Sequence, residues 1–371
     1  MTAADRRCLV PVTVLTGYLG SGKTTLLNWI LRSKDHGLRV AVIENEFGAV
    51  GVDDALVRNK VVEGEEEIFE MNNGCVCCTV RGDLIRILGK ILSRGEGGGD
   101  EGEKKKIDAI IIETTGLADP APVAQTFFMD DTIKAKARLD AIITVVDAKH
   151  ILQHLDEVKP DGVENEAEEQ VVFADRLLVN KIDLVDEDHL QKVETRLRSI
   201  NASCRQLRCQ NGKVPLAQVL GISGFDLDRV LKMEPGFLAE AADGAHHHHH
   251  DSNISSVGIH EAGELDLMKL NEWVSTFLRT RGSDIYRMKG VFAIEGLECK
   301  FVFQGVHMIF DGKPMEEAPW KEGEEKVNRA VFIGRNLDKD AIMASFRSCL
   351  VDANSNHCDE EERDAKRRRH E

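Results

Sequence analysis

The sequence predicts an α/β fold with a doubly wound, mostly parallel sheet, followed by a smaller α+β domain. Short β-branched apolar segments alternate with helical patterns through the first half of the 371 residues, which is typical of a parallel sheet covered by helices on both faces. A glycine-rich turn stands between the first predicted strand and the first predicted helix. After a histidine-rich segment, a few predicted strands are flanked by helices, as in a small domain with an antiparallel sheet.

The predicted strands of the first half are short and rich in β-branched residues, and helical spacing separates them. The strands are 12–16, 39–43, 108–113, 141–147 and 176–179, and the helices are 24–32, 83–93 and 188–200. The charged segments 95–106 and 156–169 have little to bury, and we expect both to be surface loops. Ligands of such sheets bind at the carboxyl ends of the strands.

The second half begins after a linker that we place at 239–262. An apolar helical stripe then precedes predicted strands at 289–294, 300–310 and 329–334 and a closing helix near 340–349. The stripe consists of Leu267, Leu270, Val274, Phe277 and Leu278. We therefore divide the chain into a first domain at 9–238, the linker, a second domain at 263–350 and a charged tail at 351–371 that we expect to be disordered.

Composition and charge exclude several classes of protein. The formal net charge is −16, which argues against a nucleic-acid partner, because a phosphate backbone favours basic clusters. No segment approaches the ~18 to 20 apolar residues of a spanning helix, so we expect no membrane association. A signal peptide is not expected, and we predict a cytoplasmic protein, with the basic cluster 366–369 leaving nuclear import as an alternative. The nine cysteines are odd in number and do not suggest a disulfide framework.

The glycine-rich turn fits the P-loop pattern at each fixed position. It comprises Gly17, Tyr18, Leu19, Gly20, Ser21, Gly22, Lys23 and Thr24, followed by Thr25. Glycines let the backbone turn its N–H groups toward phosphates, and the following helix adds a partial positive charge. We predict that Lys23 reaches the β- and γ-phosphates of a nucleotide and that the Thr24 hydroxyl binds Mg²⁺.

A second motif indicates which base is bound. Asn180, Lys181 and Asp183 form an N-K-x-D run directly after a predicted strand. An aspartate carboxylate there can accept both the N1–H and the exocyclic amine of guanine, a pattern that adenine does not offer. The run therefore favours GTP over ATP.

An acidic residue, Glu113, ends the predicted strand that precedes Gly116. We predict that Glu113 orders Mg²⁺ and that Gly116 contacts the γ-phosphate, since phosphoryl transfer depends mainly on position and charge. Most P-loop proteins have Asp at this point. Lys23, Thr24 and Glu113 are the candidate catalytic residues, and the sequence does not identify the group that orients the attacking water.

Three cysteines, Cys75, Cys77 and Cys78, fall within four residues. Soft thiolates bind Zn²⁺, Cu(I) and related ions, and three ligands leave an open position that suits a metal to be released. A structural zinc closed by a distant fourth ligand and three buried cysteines without a chemical role remain alternatives. The cluster lies between the P-loop and Glu113, where GTPases keep their nucleotide-sensitive segments, so nucleotide could assemble or break the site.

The predicted linker contains five consecutive histidines, namely His246, His247, His248, His249 and His250. Histidine-rich tracts collect metal weakly, and His260 is close in sequence. A low-complexity insertion without a role is the alternative interpretation.

Six motifs occur in the order found in one known family. They are GYLGSGKTT at 17–25, ENEFG at 44–48, NNGCVCC at 72–78, ETTGLADP at 113–120, NKID at 180–183 and YRMKG at 286–290. Over roughly residues 9–350 the sequence thereby resembles the CobW-like P-loop GTPases, which are relatives of the nickel chaperones UreG and HypB. Among them it is most similar to the eukaryotic zinc-regulated GTPase metalloprotein activators.

The resemblance implies a P-loop GTPase domain with a C-terminal domain of CobW type, Glu113 as the Mg²⁺-associated acid, and the three clustered cysteines as the metal site. Eukaryotic members deliver zinc to a methionine aminopeptidase through an N-terminal Cys-Pro-x-Leu-Val-Pro docking segment. Here Cys8 to Pro11 reads Cys-Leu-Val-Pro and runs directly into the first predicted strand. The docking segment is atypical, which leaves this enzyme as one candidate client.

The leading hypothesis is a zinc metallochaperone that binds GTP, Mg²⁺ and zinc, hydrolyses GTP to GDP and phosphate, and hands zinc to a client metalloprotein. One alternative is a zinc-buffering or sensing protein in which GTP only regulates affinity. Another keeps the chaperone and exchanges zinc for cobalt, because ligand softness does not separate the two ions.

Overall fold

The computed structural model describes residues 9–33, 37–45, 67–71, 79–93, 107–160, 163–202, 204–224 and 254–351. The predicted loop 95–106, most of the predicted linker and the predicted tail after residue 351 lie outside these ranges. Within them, no helix is long and apolar enough to cross a membrane.

The first domain is built on a parallel sheet with helices between its strands. Its strands are β1 (Val10–Thr16), β2 (Val40–Asn45), β3 (Glu67–Met71), β4 (Ala109–Glu113), β5 (Ala137–Asp147), β6 (Arg176–Asn180) and β7 (Arg205–Arg208). Its helices are α1 (Lys23–Arg32), α2 (Thr79–Leu92), α3 (Ala121–Met129), α4 (Asp131–Lys134), α5 (Ile151–Leu155), α6 (Glu166–Phe173) and α7 (Glu187–Ile200). The strand order is β3-β2-β4-β1-β5-β6-β7, and the described neighbours pair in parallel.

Hydrophobic cores cover both faces of this sheet. On β4, Ile110 and Ile112 belong to one buried cluster and Ile111 belongs to the other, because successive side chains of a strand point to opposite faces. Leu84 and Leu88 of α2 join the first cluster, and Leu26 and Leu27 of α1 join the second. The predicted doubly wound α/β fold is confirmed.

The second domain contains an antiparallel sheet with two helices. Its strands are β8 (Ile254–Ala262), β9 (Ile285–Phe292), β10 (Cys299–Val306), β11 (Ile309–Pro319) and β12 (Val327–Arg335), in the order β11-β10-β9-β12-β8. Its helices are α8 (Leu267–Arg281) and α9 (Lys339–Arg347). The predicted smaller α+β domain is confirmed.

Three local predictions differ from the structure. Residues 254–262, placed in the linker, form strand β8, whose Ile254, Val257 and Ile259 are buried. The single strand predicted at 300–310 is a hairpin, in which Val306 pairs with Ile309 around a two-residue turn. Such turns need positive φ values, and His307 has φ 51°.

The predicted acidic loop 156–169 is also wrong at its end, because α6 begins at Glu166. The Asn165 side chain caps this helix by accepting hydrogen bonds from the N–H groups of Ala167 at 3.0 Å and Glu168 at 3.2 Å. Acidic residues are favoured in the first turn of a helix, so the acidic run that suggested a loop is the beginning of a buried helix.

The two domains share a core. Tyr286, Val306, Val331 and Ile333 of the second domain belong to the buried cluster on one face of the first sheet. This apolar contact joins the second domain to the α6 side of the first.

We expect Asp140→Ala to lower the free energy of unfolding by about 3 kcal/mol, as loss of a buried charge partner does. The Asp140 side chain is fully buried and accepts hydrogen bonds from the N–H groups of Ile222 and Ser223, each at 2.9 Å, and from Arg138 at 3.2 Å. Urea unfolding followed by circular dichroism measures the change.

The matched control is Asp131→Ala, since the Asp131 side chain is 97% exposed and its ion pair with Lys134 spans 3.7 Å. We expect this control to stay within about 0.5 kcal/mol of the parent. Equal losses in both variants would contradict a stabilising role for the buried carboxylate of Asp140.

Candidate nucleotide site

The glycine-rich turn between β1 and α1 leaves no room for a side chain at two of its glycines. Gly17 has φ 141° and Gly22 has φ 107°. A Cβ atom added to Gly17 would lie 2.2 Å from the Val145 carbonyl oxygen, and one added to Gly22 would lie 2.4 Å from Asn180 Nδ2. The turn therefore requires glycine at both positions and packs closely against β5 and the end of β6.

The ammonium group of Lys23 lies over this turn. Lys23 Nζ donates hydrogen bonds to the carbonyl oxygens of Gly17 at 2.9 Å and Tyr18 at 3.4 Å, and the residue is 8% exposed. The structure thus places a positive charge at the centre of the turn, beside the amino end of α1.

Thr24 and Glu113 meet although they are far apart in sequence. Thr24 Oγ1 donates to Glu113 Oε1 at 3.1 Å. Glu44 is the register partner of Glu113 on the neighbouring strand, and the two residues are 5% and 7% exposed. A hydroxyl oxygen with adjacent buried carboxylates is a donor set that suits Mg²⁺.

The segment after β4 packs against the P-loop. A Cβ atom added to Gly116 would lie 2.6 to 2.7 Å from atoms of Leu19. Gln170 of α6 donates from Nε2 to the carbonyl oxygens of Gly116 at 3.1 Å and Ala118 at 3.3 Å. Gln170 was not among the predicted site residues, and the signal that could have identified it is the helix cap Asn165, since a helix there turns Gln170 inward.

The N-K-x-D run is joined to the P-loop by Asn180. Asn180 Nδ2 donates to the Ser21 carbonyl oxygen at 2.9 Å, while Asn180 Oδ1 accepts from the Gly212 N–H at 3.1 Å. Asp183 follows in a short 3₁₀ turn and is exposed. The structure therefore brings Asn180 to the glycine-rich turn and leaves the Asp183 carboxylate accessible.

Lys181 is oriented by Asp147, a residue that sequence analysis did not single out. Lys181 has φ 62°, and its Nζ donates to Asp147 Oδ2 at 2.8 Å. Burial raises the pKa of Asp147, but hydrogen bonds from Lys181 and His150 outweigh it and hold the pKa below its usual value. Asp147 therefore stays charged and fixes Lys181 at the carboxyl end of β5.

The Tyr18 ring of the P-loop stacks on His154 of α5, with ring centroids 3.9 Å apart. Burial lowers the pKa of His154, as does the nearby His150. His154 is thus neutral at neutral pH and supports the turn through ring contact.

The predicted zinc-binding residues are not among those described. Cys75, Cys77 and Cys78 and the histidines 246–250 lie outside the described ranges. In the part of the chain that is described, no group of three or more His, Cys, Asp or Glu residues is placed to hold a metal ion. Burial raises the pKa of Cys204 to about 12 and that of Cys209 to about 11, so these two are core thiols.

Comparison with known proteins agrees with this architecture. Residues 11–208 match the family model described as the CobW/HypB/UreG nucleotide-binding domain, and residues 254–350 match the cobalamin synthesis protein cobW C-terminal domain. The zinc chaperone YjiA of Escherichia coli (strain K12) is 33% identical over 340 residues, which cover 91% of this chain and 98% of that protein.

A eukaryotic relative and a solved structure extend the comparison. Zinc-regulated GTPase metalloprotein activator 1 of Schizosaccharomyces pombe is 32% identical over 360 residues, covering 89% of this chain and 83% of that protein. A crystal structure of the Zn(II)-bound YjiA GTPase from E. coli has a TM-score of 0.69 at 27% identity, covering 92% of this chain and 99% of that one. Because this family model matches more than half of the chain, the chain belongs to the CobW/HypB/UreG family.

Proposed function

We propose that this chain, a P-loop GTPase, uses GTP hydrolysis to control the binding of zinc and its transfer to a client metalloprotein. One of its relatives is named a zinc chaperone and another a zinc-regulated GTPase metalloprotein activator. The similar solved structure is that of a Zn(II)-bound GTPase. These names support zinc rather than cobalt as the cargo.

The phosphates of GTP would lie in the turn between Gly17 and Thr25. Its backbone N–H groups and the amino end of α1 favour anions, and Lys23 would exchange its carbonyl partners for phosphate oxygens. Thr24 and Glu113 would hold Mg²⁺, which supplies positive charge to the β- and γ-phosphates when bound. The 3.1 Å contact between these two side chains supports that assignment.

The guanine base would be recognised by the exposed Asp183. Asn180 and Lys181 hold this part of the chain next to the P-loop through Ser21 and Asp147. A ligand whose phosphates lie in the turn would therefore place its base near the carboxyl end of β6, where Asp183 can accept two hydrogen bonds.

The position of β3 is the observation that carries the link between GTP and zinc. β3 ends at Met71, α2 begins at Thr79, and the cysteine motif lies between them in sequence. Because the sheet is parallel, β3 ends at the same edge as β1 and β4. Neighbouring strands lie about 4.8 Å apart, so β3 and β4, separated by β2, lie about 10 Å apart there.

Zinc would be cargo at this motif. The thiolates of Cys75, Cys77 and Cys78 are soft ligands, and a three-ligand site leaves a position through which a client can take the metal. The histidines 246–250 would add weak metal sites.

The client would be a metalloprotein that accepts zinc from this site. The aminopeptidase docking segment of the eukaryotic members is matched only by residues 8–11, of which Val10 and Pro11 are the first residues of β1. Val10 and Pro11 pair with Ala137 and Arg138 in the sheet, so they are part of the fold. Their pairing favours a client that docks on another surface.

Lys23→Met is expected to lower the kcat of GTP hydrolysis at least about 100-fold, because removal of one donor that stabilises transition-state charge has this effect. Phosphate release from GTP measures it. Lys192→Met, which replaces an exposed lysine of α7, is the matched control and should retain full activity. Unimpaired hydrolysis by Lys23→Met would remove the P-loop assignment.

Asp183→Asn should weaken GTP binding and favour xanthosine triphosphate, whose C2 carbonyl can accept a hydrogen bond from the new amide. Competition of the two nucleotides against a fluorescent GDP measures the preference. Asp188→Asn changes an exposed carboxylate in the first turn of α7 and should leave the preference for GTP intact. If both variants prefer GTP equally, guanine is recognised elsewhere.

Zinc is expected to bind the protein loaded with a GTP analogue about 5 to 150 times more tightly than the GDP form, the usual range of allosteric coupling. Linkage requires zinc to raise the preference for GTP over GDP by the same factor. Titrations against a calibrated zinc chelator in each nucleotide measure both.

The coupling should vanish in a Cys75→Ser, Cys77→Ser, Cys78→Ser triple variant that still binds GTP. Cys299→Ser, which alters a half-buried thiol of the second domain, should retain it. Equal zinc affinity in the two nucleotide states would support a static zinc site or zinc buffering instead of transfer.

A further inference from the structure

Helix α6 contacts both the segment after β4 and the second domain. Gln170 lies in its middle, 1% exposed, and Phe173 is its last residue. The helix is held along its backbone as well, since Asn201 Nδ2 donates to the carbonyl oxygens of Val171 at 2.9 Å and Val172 at 3.1 Å. Because Gln170 is part of this helix, a displacement of the helix would displace the Gln170 side chain.

The carboxamide of Gln170 fixes the backbone of the 116–118 segment. One NH₂ group supplies both donors, and the two acceptors are the carbonyl oxygens of Gly116 and Ala118. These bonds join residues 54 and 52 positions apart in sequence. A buried carbonyl group without a hydrogen-bond donor lowers the stability of the fold. These two bonds therefore favour this one position of the segment.

The other side of the same segment faces the P-loop. Gly116 packs against Leu19 so closely that an added Cβ atom would overlap it. Gln170 and Leu19 therefore hold the segment between them, two residues beyond the Thr114 N–H that bonds the Leu15 carbonyl oxygen at 2.9 Å. The segment begins beside Glu113, at the end of the turn where a terminal phosphate would lie.

The second domain binds the carboxyl end of α6. Arg287 Nη1 donates to the Phe173 carbonyl oxygen at 2.5 Å, and Arg287 Nη2 donates to the Asp175 carboxylate. Lys289 Nζ adds a bond to the same carboxylate at 3.0 Å. The Phe173 ring also contacts Tyr286 and His307, with centroids 5.9 and 5.2 Å away.

We propose that Gln170 is a positioning residue for GTP hydrolysis, and that Arg287 makes its position depend on the docked second domain. Gln170 would not contact the nucleotide. It would set the 116–118 segment at the distance from the terminal phosphate that the reaction requires. The proposal rests on the assignment of GTP hydrolysis to the P-loop and adds a connection from that site to the second domain.

The segment would lie at the terminal phosphate of bound GTP, which GDP lacks. Loss of the Gln170 carboxamide should therefore lower kcat and the affinity for a GTP analogue while leaving the affinity for GDP within about twofold. Misplacing a reacting group by about 1 Å can cost up to about 100-fold in rate, so we expect kcat to fall between about 10-fold and 100-fold. A merely structural role would weaken both nucleotides together.

The first experiment compares Gln170→Met with Val172→Ala. The methionine retains the length of the side chain and removes both donors, while Val172→Ala removes two methyl groups at a fully buried position of the same helix and leaves the Gln170 carboxamide in place. We expect Val172→Ala to unfold at lower urea concentration with kcat unchanged. Gln170→Glu, which keeps the shape of glutamine, serves if the methionine variant does not fold.

The second experiment is a double-mutant cycle on kcat with Arg287→Met. If Arg287 acts through Gln170, Arg287→Met should lower kcat in the parent protein and have little further effect in the Gln170→Met background. Arg347→Met removes an arginine that pairs with Glu261 inside the second domain and is the matched control. Arg287→Lys retains one donor and should give a smaller loss.

The outcomes separate this proposal from the proposed function. Unchanged kcat in Gln170→Met, or equal weakening of GDP and the GTP analogue, overturns the role of Gln170. Additive effects of the two substitutions overturn the connection through Arg287. In both cases the Lys23→Met variant would still be inactive, whereas an active Lys23→Met variant would overturn the P-loop assignment itself.

Discussion

The parallel register of β4 with its two neighbours is the constraint on which the rest of the site depends. Glu113 lies opposite Leu15 of β1 and Glu44 of β2, and β1 leads directly into the glycine-rich turn. A shift of β4 by one residue would turn Glu113 to the other face of the sheet and break its contact with Thr24. Because Ile110, Ile111 and Ile112 pack into two opposite cores, that shift would also move each isoleucine to the opposite core and disrupt the packing of both. The packing of the sheet thus fixes the distance between the turn and the carboxylate.

Much of the fold and of the nucleotide site could be predicted because its signals are local. The turn from Gly17 to Thr24 needs glycines at particular φ values, and the following helix begins at Lys23 as expected within one residue. The N-K-x-D run follows a strand that is recognisable by its own composition. In each case the residues that define the feature are neighbours in the chain, so their spacing in the sequence predicts their arrangement in the structure.

The features that sequence analysis missed depend on contacts between distant residues. Gln170 reaches Gly116 across 54 positions, and Lys181 reaches Asp147 across 34; neither pair has a spacing that a motif could record. Strand β8 was missed since Ser255, Ser256 and Gly258 interrupt its apolar residues, and it becomes a strand by pairing with β12. In α6, an acidic first turn concealed a helix that ends in the buried residues Val171, Val172 and Phe173.

The contact between the domains explains why α6 can hold the 116–118 segment in a fixed position. Asp175 is buried, and although burial raises its pKa, Arg287 and Lys289 outweigh it and hold the pKa below its usual value. A buried ion pair by itself adds little stability, whereas the shared apolar cluster around Tyr286 resists relative motion of the domains. The apolar contact therefore makes the arrangement of the domains rigid, and the ion pairs fix where the second domain lies on α6. A helix held in this way on one side, and bonded through Gln170 on the other, makes the geometry beside Glu113 a property of both domains.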